Sequence, residues 1–388
     1  MSILQRGKNS WRIEVVIGKV DNKYERITET FHGLKSEAKA REVELKHQIK
    51  NGIIRVNKNL TFQEFSKKWL KEYASNLAPR TYSEYEKLLK KINQSIGRIP
   101  LTDLRPLQLT EYYNHLRNTD VEIPKNKQNR EQGSNKKLSE NTVLHHYNLI
   151  NGILSKAVDW ECIERNPNSK VPRPKLKKHE PKFYDTKQVK KLLSCLENEC
   201  LKYQALILLA LDTGARRGEI TGLTWSDIDF NKSTININKT TQYTKELGIF
   251  EKSTKTSTSN RIIYISKTTL NILKKYQKEQ LENKLRLGDK WGNSKRVFTT
   301  DFGADMHPDT PSQIFERIIK RHNLKRISLH SLRHTSISLL ISSGIQAQII
   351  SRRAGHSNVT VTHSIYSHFF DNEFQDVANK MDVFLQVK

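Results

Sequence analysis

The stretch DTGARRGE at residues 212–219 decides how the chain is interpreted. The apolar run before it, ALILLAL at 205–211, predicts a buried helix, and Gly214 is expected to end that helix. Two arginines, Arg216 and Arg217, follow at once. A guanidinium group keeps its charge and its planar fork can hold two phosphate oxygens, although a pair of arginines usually belongs to a solvated or DNA-facing surface.

Three further polar patterns follow along the chain. KSTKTSTSNR at 252–261 places Lys255 in a polar turn before a strand. HSLR at 330–333 has the i, i+3 spacing that puts an imidazole and a guanidinium on one helix face. GHSNVTVTHSIY at 355–366 contains a histidine followed ten residues later by Tyr366. Each pattern alone is ambiguous, since HxxR is more often a surface pair and a tyrosine near histidines could serve packing.

The charge of the chain narrows the class of partner. Its 388 residues include 67 lysines and arginines against 41 aspartates and glutamates, a formal net charge of +26. A well-solvated surface would explain a modest excess of basic side chains. An excess of this size, spread over the whole chain, indicates a polyanion, and the lack of a basic amphipathic anchor helix favours nucleic acid over a membrane surface.

Cysteine usage and hydropathy exclude other classes. The three cysteines, Cys162, Cys195 and Cys200, form neither a disulfide framework nor a zinc-binding pattern, so we expect no metal and no cofactor. The run at 205–211 is the longest apolar one and is far too short to cross a bilayer, and the first residues have no signal-peptide core. The sequence therefore predicts a cytoplasmic protein without membrane association.

The expected fold is mainly α-helical with small β-sheets, an α+β class, in three segments. In residues 1–52, alternating apolar positions from Trp11 predict strands, and a helix with Ser36 as its N-cap follows. Residues 60–168 predict a helical domain. Residues 180–388 predict a mixed domain, in which helices alternate with one β-rich patch.

Local signals place the elements of the second segment. TFQE at 61–64 and TYSE at 81–84 are capping boxes, which are typical of helix starts. Pro106 and Ser139 are expected to open two more helices. The polar, basic stretch at 121–137 has no apolar period and predicts a surface loop.

The third segment follows a proline- and lysine-rich linker at 166–181, either a strap along phosphates or a solvated spacer. Strands are predicted at 233–238 and 261–266, with a further strand and a turn between them. Helices are expected to begin near Thr268, Pro311, Ser328 and Ile345.

In their order, and beside the charge, the four patterns resemble those of the tyrosine recombinase, or phage-type integrase, family. That family's pattern is an arginine, a lysine, His-x-x-Arg, Gly-His and a tyrosine. The middle segment looks like the family's core-binding domain, and the first segment looks like the arm-binding domain of integrases from phages and conjugative elements. Two departures are Ala354, where many members have leucine, and a His356-to-Tyr366 interval one residue longer than in some members.

The resemblance implies a set of catalytic residues, namely Arg216, Lys255, His330, Arg333, His356 and Tyr366. Tyr366 would attack the scissile phosphate and form a 3′-phosphotyrosine, so that rejoining needs neither metal nor ATP. Arg216 and Arg333 would clamp the phosphate, and His356 would donate a further hydrogen bond. His330 would act as base or proton shuttle, and Lys255 would protonate the leaving 5′-oxygen.

Rival residues remain for some of these roles. Lys252 and Lys245 could replace Lys255, and Tyr243 and Tyr264 are rival nucleophiles by residue type alone. Arg217 is expected to be structural or phosphate-facing rather than catalytic. Glu219 is expected to orient the arginines.

The implied partner is double-stranded DNA, at core and arm attachment sites. Candidate DNA contacts are Arg12, Arg26, Lys67, Lys71, Arg80, Lys87 and Arg217. The segment from 372 onward predicts an amphipathic helix that either folds back on its own domain or docks on a neighbouring subunit of a tetramer. An excisionase and a DNA-bending protein are implied as accessory partners.

Three functions stay open on the sequence alone. The first is a site-specific recombinase that integrates and excises a mobile element. The second is a type IB topoisomerase-like enzyme, which would share the active-site set and relax DNA without recombination. The third is a DNA-binding regulator built on a decayed recombinase, and the complete set of patterns argues against it.

Overall fold

The computed structural model describes residues 3–20, 23–50, 60–120, 137–176, 182–253, 260–355, 358–360, 381 and 385. The chain divides into two compact units, Met1–Lys177 and Lys178–Lys388. The predicted fold class, mainly helical with small sheets, is confirmed. None of the helices that the structure describes has the length and apolar character needed to span a bilayer.

A three-stranded antiparallel sheet and one helix form the start of the first unit. Their bounds are β1 (Ile3–Gly7), β2 (Ser10–Val20), β3 (Lys23–His32) and α1 (Lys35–Lys50), with strand order β1-β2-β3. The alternation predicted from Trp11 is confirmed. One face of β2 packs against α1 in a small core of Trp11, Ile13, Val15, Ala38 and Leu45.

Two features here differ from the prediction. Strand β1 was not expected, because its residues are mostly exposed and carry no alternating apolar signal. The helix begins at Lys35, so Ser36 is not its N-cap. The side chain of Glu37 instead accepts a hydrogen bond from the N–H of Leu34, at 2.8 Å.

Helices build the rest of the first unit, at α2 (Phe62–Glu72), α3 (Pro79–Ile96), α4 (Pro106–Asn118) and α5 (Glu140–Asp159). The capping box at Thr61 is confirmed, with the N–H of Thr61 donating to Glu64 Oε2 at 2.9 Å. The predicted helix start at Pro106 and the predicted N-cap at Ser139 are also confirmed. The predicted cap at Thr81 is wrong, because Pro79 already supplies a preset φ and needs no N–H partner. The predicted loop at 121–137 lies outside the described residues except for Lys137.

The helices of the second unit are α6 (Thr186–Leu196), α7 (Leu201–Thr213), α8 (Arg217–Gly222), α9 (Lys267–Leu287), α10 (Thr310–Arg321), α11 (Leu329–Ser342) and α12 (Ala347–Ala354). The apolar helix predicted before Gly214 is α7. It lies in the centre of the core and packs on both α9 and α11. A separate small cluster packs α12 on α11 through Ile337, Ile341, Ile350 and Ala354.

The β-rich patch of the second unit forms two antiparallel sheets. Strands β4 (Ile228–Asp229), β5 (Thr234–Ile237) and β8 (Arg261–Tyr264) pair in the order β4-β5-β8. Between β5 and β8 the chain forms a hairpin of β6 (Lys239–Thr244) and β7 (Gly248–Ser253). This is one strand more than predicted, since polar residues hide its alternation. Strand β6 packs on α8, so the hairpin lies against the helix that follows Arg216.

Candidate active site

Arg216 lies in the turn between α7 and α8 and is held on two sides. Gly214 ends α7 with φ of 61°, and Arg216 occupies the N-cap position of α8. Its Nη1 contacts Glu219 Oε1 at 3.1 Å, and its Nη2 donates to the carbonyl oxygen of Gly355 at 3.0 Å. Because 43% of the side chain remains exposed, the guanidinium is fixed in place and still open to a ligand.

Glu219 connects two arginines from inside the protein. It is buried and accepts hydrogen bonds from Arg216 and from Arg261, whose Nη2 lies 2.8 Å from Glu219 Oε2. Burial alone would raise the pKa of Glu219, but the contacts with Arg261 and Arg216 outweigh it and lower the pKa below its usual value. The carboxylate therefore stays ionised and orients both guanidinium groups.

Arg333 approaches the same turn from α11. Its side chain is buried, and Nη1 donates a hydrogen bond of 2.7 Å to the carbonyl oxygen of Gly214. That carbonyl belongs to the residue two positions before Arg216. The two arginines predicted to clamp a phosphate are thus brought to one turn of the chain.

His330 lies one helical turn before Arg333 on α11. Partial burial and the positive charges of Arg333 and Arg216 lower its pKa from 6.5. The ring of His334 stands perpendicular to it at 5.2 Å, and burial lowers the pKa of His334 to about 4. His330 is therefore neutral near pH 7 and able to accept a proton.

Gly355 ends α12 and lies close to both Arg216 and Arg261. Its φ is 69°, in the left-handed region, and an added Cβ would lie 2.8 Å from Arg261 Nη1. Only glycine therefore fits this turn without displacing Arg261. Ala354, the departure from the family's leucine, is buried against α11.

Three of the six predicted catalytic residues, Lys255, His356 and Tyr366, lie outside the described residues. The structure brings the other three, Arg216, His330 and Arg333, to one place. The two rival tyrosines lie elsewhere on the strands: Tyr264 is exposed on β8, and Tyr243 on β6 contacts the ring of His307 at 4.4 Å.

Sequence reasoning missed two residues of this region, Arg261 and Arg353. Arg261 is buried at the start of β8, and Arg353 in the last turn of α12 contacts Asp212. A signal for Arg261 was available, because RIIY at 261–264 alternates and places Arg261 on the same inner face as Ile263. Nothing local in the sequence singles out Arg353.

The candidate DNA contacts are mostly exposed. Arg12 and Arg26 lie on the face of the first sheet opposite α1, and both contact Glu14, at 2.7 and 3.7 Å. Arg217 pairs with Asp309 at 2.7 Å. The exposed candidates on the helices of the first unit are Lys67, Lys71, Arg80 and Lys87.

Comparison with known proteins gives two family matches. The phage integrase family matches residues 182–373, and the N-terminal SAM-like domain of phage integrases matches residues 61–117. Together the matched ranges cover well over half of the chain. The first includes the turn at Arg216, the HSLR helix and the GHSNVTVTHSIY segment.

Relatives match over nearly the whole chain. A tyrosine recombinase XerC-like protein of Caldanaerobacter subterraneus subsp. tengcongensis is 27% identical, with 98% of each chain covered. The ICEBs1 integrase of Bacillus subtilis is also 27% identical, covering 98% of this chain and 99% of that protein.

Solved structures share the fold. The Tn1549 transposon integrase, in complex with a circular intermediate DNA, matches with a TM-score of 0.64 at 20% identity over 82% of this chain and 99% of that one. A lambda integrase dimer bound to a core site matches with a TM-score of 0.56 at 15% identity, covering 94% of each chain. With the family matches and the convergent arginines, these findings show that the chain belongs to the phage integrase family of tyrosine recombinases.

Proposed function

We propose that this protein is a site-specific DNA recombinase that integrates and excises a mobile element through a 3′-phosphotyrosine at Tyr366. The observation that carries the proposal is the convergence of Arg216 and Arg333 on one turn, with Gly355 bonded to Arg216. The relatives named as integrases of mobile elements support it over their full length.

The two arginines would serve as the phosphate clamp. Attack on a phosphodiester builds negative charge on the non-bridging oxygens, and preorganised cations there are usually the largest catalytic contribution. Arg216 is anchored by Glu219 and Gly355, and Arg333 is anchored by Gly214, so neither needs to reorganise when charge develops. His356, which follows Gly355 directly, would donate a further hydrogen bond.

Proton transfer would be divided between two other residues. The hydroxyl oxygen of Tyr366 forms the bond to phosphorus while the 5′-oxygen of the neighbouring nucleotide leaves. His330, neutral near pH 7, would take the hydroxyl proton, and Lys255 would give a proton to the 5′-oxygen. The phosphotyrosine keeps the energy of the phosphodiester bond, so rejoining by the reverse step would require neither ATP nor a metal ion.

DNA contacts would spread over both units. Arg12 and Arg26 lie on the open face of the first sheet, which suits an arm site, and the exposed lysines of α2 and α3 suit the phosphates of a core site. A lambda integrase tetramer has been solved on a Holliday junction with the same fold, and this supports a tetramer as the working assembly. We also propose that an excisionase and a DNA-bending protein act as accessory partners and that the protein is cytoplasmic.

The test is covalent trapping on DNA. A nicked suicide substrate carrying the element's junction loses a short fragment after cleavage, so the protein stays attached and shifts on a denaturing gel. The native protein should give this adduct, and Tyr366→Phe should give none. Tyr264→Phe is the matched control, since it removes a rival tyrosine hydroxyl and should leave the adduct unchanged.

Other outcomes would select other functions. Adduct formation together with relaxation of supercoiled DNA, but no strand exchange between two attachment sites, would favour the topoisomerase-like enzyme. Tight DNA binding by the native protein without an adduct would favour the regulator.

A further inference from the structure

An ion pair that no part of the proposed chemistry uses lies beside the arginine turn. Arg353 of α12 donates from Nη2 to Asp212, reaching its Oδ1 at 2.9 Å and its carbonyl oxygen at 2.8 Å. Its Nη1 donates to the carbonyl oxygen of Tyr264 at 2.7 Å. The side chains of Arg353 and Asp212 are 24% and 16% exposed, so solvent screens this pair only in part.

Asp212 connects Arg353 to the turn that carries Arg216. It lies in the last turn of α7, two residues before Gly214, where the turn that carries Arg216 begins. Its second carboxylate oxygen accepts the N–H of Ser266, the N-cap of α9, at 2.8 Å. One carboxylate therefore holds α7, α9 and α12 in a fixed relation.

The backbone of Arg353 makes a second connection to the same site. Its carbonyl oxygen accepts a hydrogen bond from Arg261 Nε at 2.8 Å. Arg261 also holds Glu219, and Glu219 holds Arg216. Arg353 thus connects the end of α12 to the arginine turn in two ways. Its side chain contacts Asp212, and its backbone carbonyl contacts Arg261.

We propose that Arg353, paired with Asp212, is a positioning residue for the cleavage reaction, and this inference rests on the recombinase function proposed above. The pair fixes the end of α12, so that the carbonyl of Gly355 stays within reach of Arg216 and the segment that begins with His356 starts from a defined point. Neither Arg353 nor Asp212 touches the reacting atoms in this role. Their loss should slow cleavage without weakening DNA binding.

The experiment measures binding and chemistry separately on the full-length protein. Arg353→Ala and Asp212→Asn are compared with the native protein in single-turnover cleavage of the suicide substrate at saturating DNA, and in a binding titration. We expect a fall in cleavage rate of about tenfold or more, because small displacements of reacting groups are costly, with dissociation constants within about twofold. Arg352→Ala is the matched control, since Arg352 is exposed on the same helix one residue earlier.

The cleavage rate of a double variant and the melting temperatures of the variants distinguish a positioning role from a general loss of stability. Because the two side chains act as one pair, Asp212→Asn with Arg353→Ala should cleave no more slowly than Arg353→Ala alone. Asp212→Asn keeps the shape of the side chain, so it keeps the test available if Arg353→Ala melts below the assay temperature.

Native cleavage rates in both single variants, a loss of rate explained by weaker binding, or fully multiplicative effects would each overturn the inference. Absence of any adduct from the native protein would instead overturn the proposed function.

Discussion

The guanidinium of Arg333 and the carbonyl oxygen of Gly214 are joined by a buried hydrogen bond of 2.7 Å. This bond ties α11, which also carries His330, to the turn that carries Arg216. A backbone carbonyl thereby brings together Arg216 and Arg333, the two arginines of the proposed phosphate clamp, which are more than a hundred residues apart in the sequence.

Two substitutions of Arg333 test whether cleavage depends on its positive charge or on the geometry of its guanidinium group. Arg333→Ala removes a cation from the developing phosphate charge and should lower the cleavage rate by roughly 10²–10³-fold. Arg333→Lys keeps the charge, but one ammonium group cannot replace a planar fork that holds Gly214 and, in the proposed role, also binds a phosphate. We therefore expect a large loss here too. Single-turnover cleavage measures both variants, and Arg286→Ala on the exposed end of α9 controls for lost charge. A native rate in Arg333→Lys would contradict the geometric role.

The cleavage rate should depend on pH through His330. If its neutral ring accepts the proton of Tyr366, the rate rises with pH until His330 is deprotonated and is then constant. Because burial and two arginines lower the pKa of His330 from 6.5, the rising limb should lie below pH 6.5, and the rate should be flat from pH 7 to 8. His330→Gln should be roughly 10²-fold slower and lack that limb. A rate that still rises between pH 7 and 8 would assign the proton transfer to another group.

Lys255 should matter only when the leaving group needs a proton. When sulfur replaces the bridging 5′-oxygen of the DNA, the 5′ group leaves as a thiolate, and a thiol is a far stronger acid than an alcohol. Lys255→Ala should therefore cleave ordinary DNA about 10²-fold more slowly and should recover most of the rate on the sulfur substrate. Lys252→Ala and Lys245→Ala should behave as the native protein on both. Recovery in Lys252→Ala instead would move the general acid to that residue.

The sequence predicted well what local patterns determine. Gly214 as the end of α7, the capping box at Thr61 and the alternation from Trp11 each depend on neighbouring residues, and each was correct. The predicted caps at Ser36 and Thr81 were wrong because both helices begin earlier in the sequence, at Lys35 and at Pro79.

What the sequence could not provide are contacts between distant segments. Arg261, Arg353 and Asp212 come from three separate elements, and only the folded chain shows that one network joins them to Glu219. A buried arginine looks like any other basic residue in a chain with 67 lysines and arginines. The arginine motif was recognisable for the opposite reason, since its glycine, arginines and glutamate are adjacent.

Gly218 should be required for the hairpin to reach the arginine turn. A Cβ at this position would collide with Thr240 Oγ1 and lie 2.7 Å from the carbonyl oxygen of Thr241 on β6. Gly218→Ala should push β6 away from α8, displace the hairpin that leads to Lys255, and lower the cleavage rate by roughly 10²-fold. Gly222→Ala is the graded control, because its nearest contact, the backbone nitrogen of Thr241, is 3.3 Å away. Equal rates in the two alanine variants would show that the hairpin does not depend on this close approach.

Acid should destabilise the helical part of the first unit through His146. This side chain is 1% exposed, its Nδ1 lies 2.7 Å from the hydroxyl of Tyr112, and burial lowers its pKa to about 4. In the unfolded chain, His146 binds a proton below its ordinary pKa of 6.5, whereas in the folded chain it stays neutral until the pH approaches 4. The contribution of His146 to the free energy of unfolding is therefore complete above pH 6.5 and falls as the pH drops towards 4. The loss should reach about 3 kcal/mol near pH 4, at 1.36 kcal/mol for each pKa unit.

Hydrogen exchange on peptides from α4 and α5, corrected for the intrinsic effect of pH, measures this loss in the full-length protein. His146→Leu should remove most of the pH dependence while costing about 1–3 kcal/mol at pH 7, because the hydroxyl of Tyr112 loses its partner. His115→Leu, at an exposed position of α4, should keep the native pH dependence. Since His334 belongs to the other unit and is present in all three proteins, its own titration cancels from the comparison. An unchanged slope in His146→Leu would assign the acid sensitivity to carboxylates of the first unit instead.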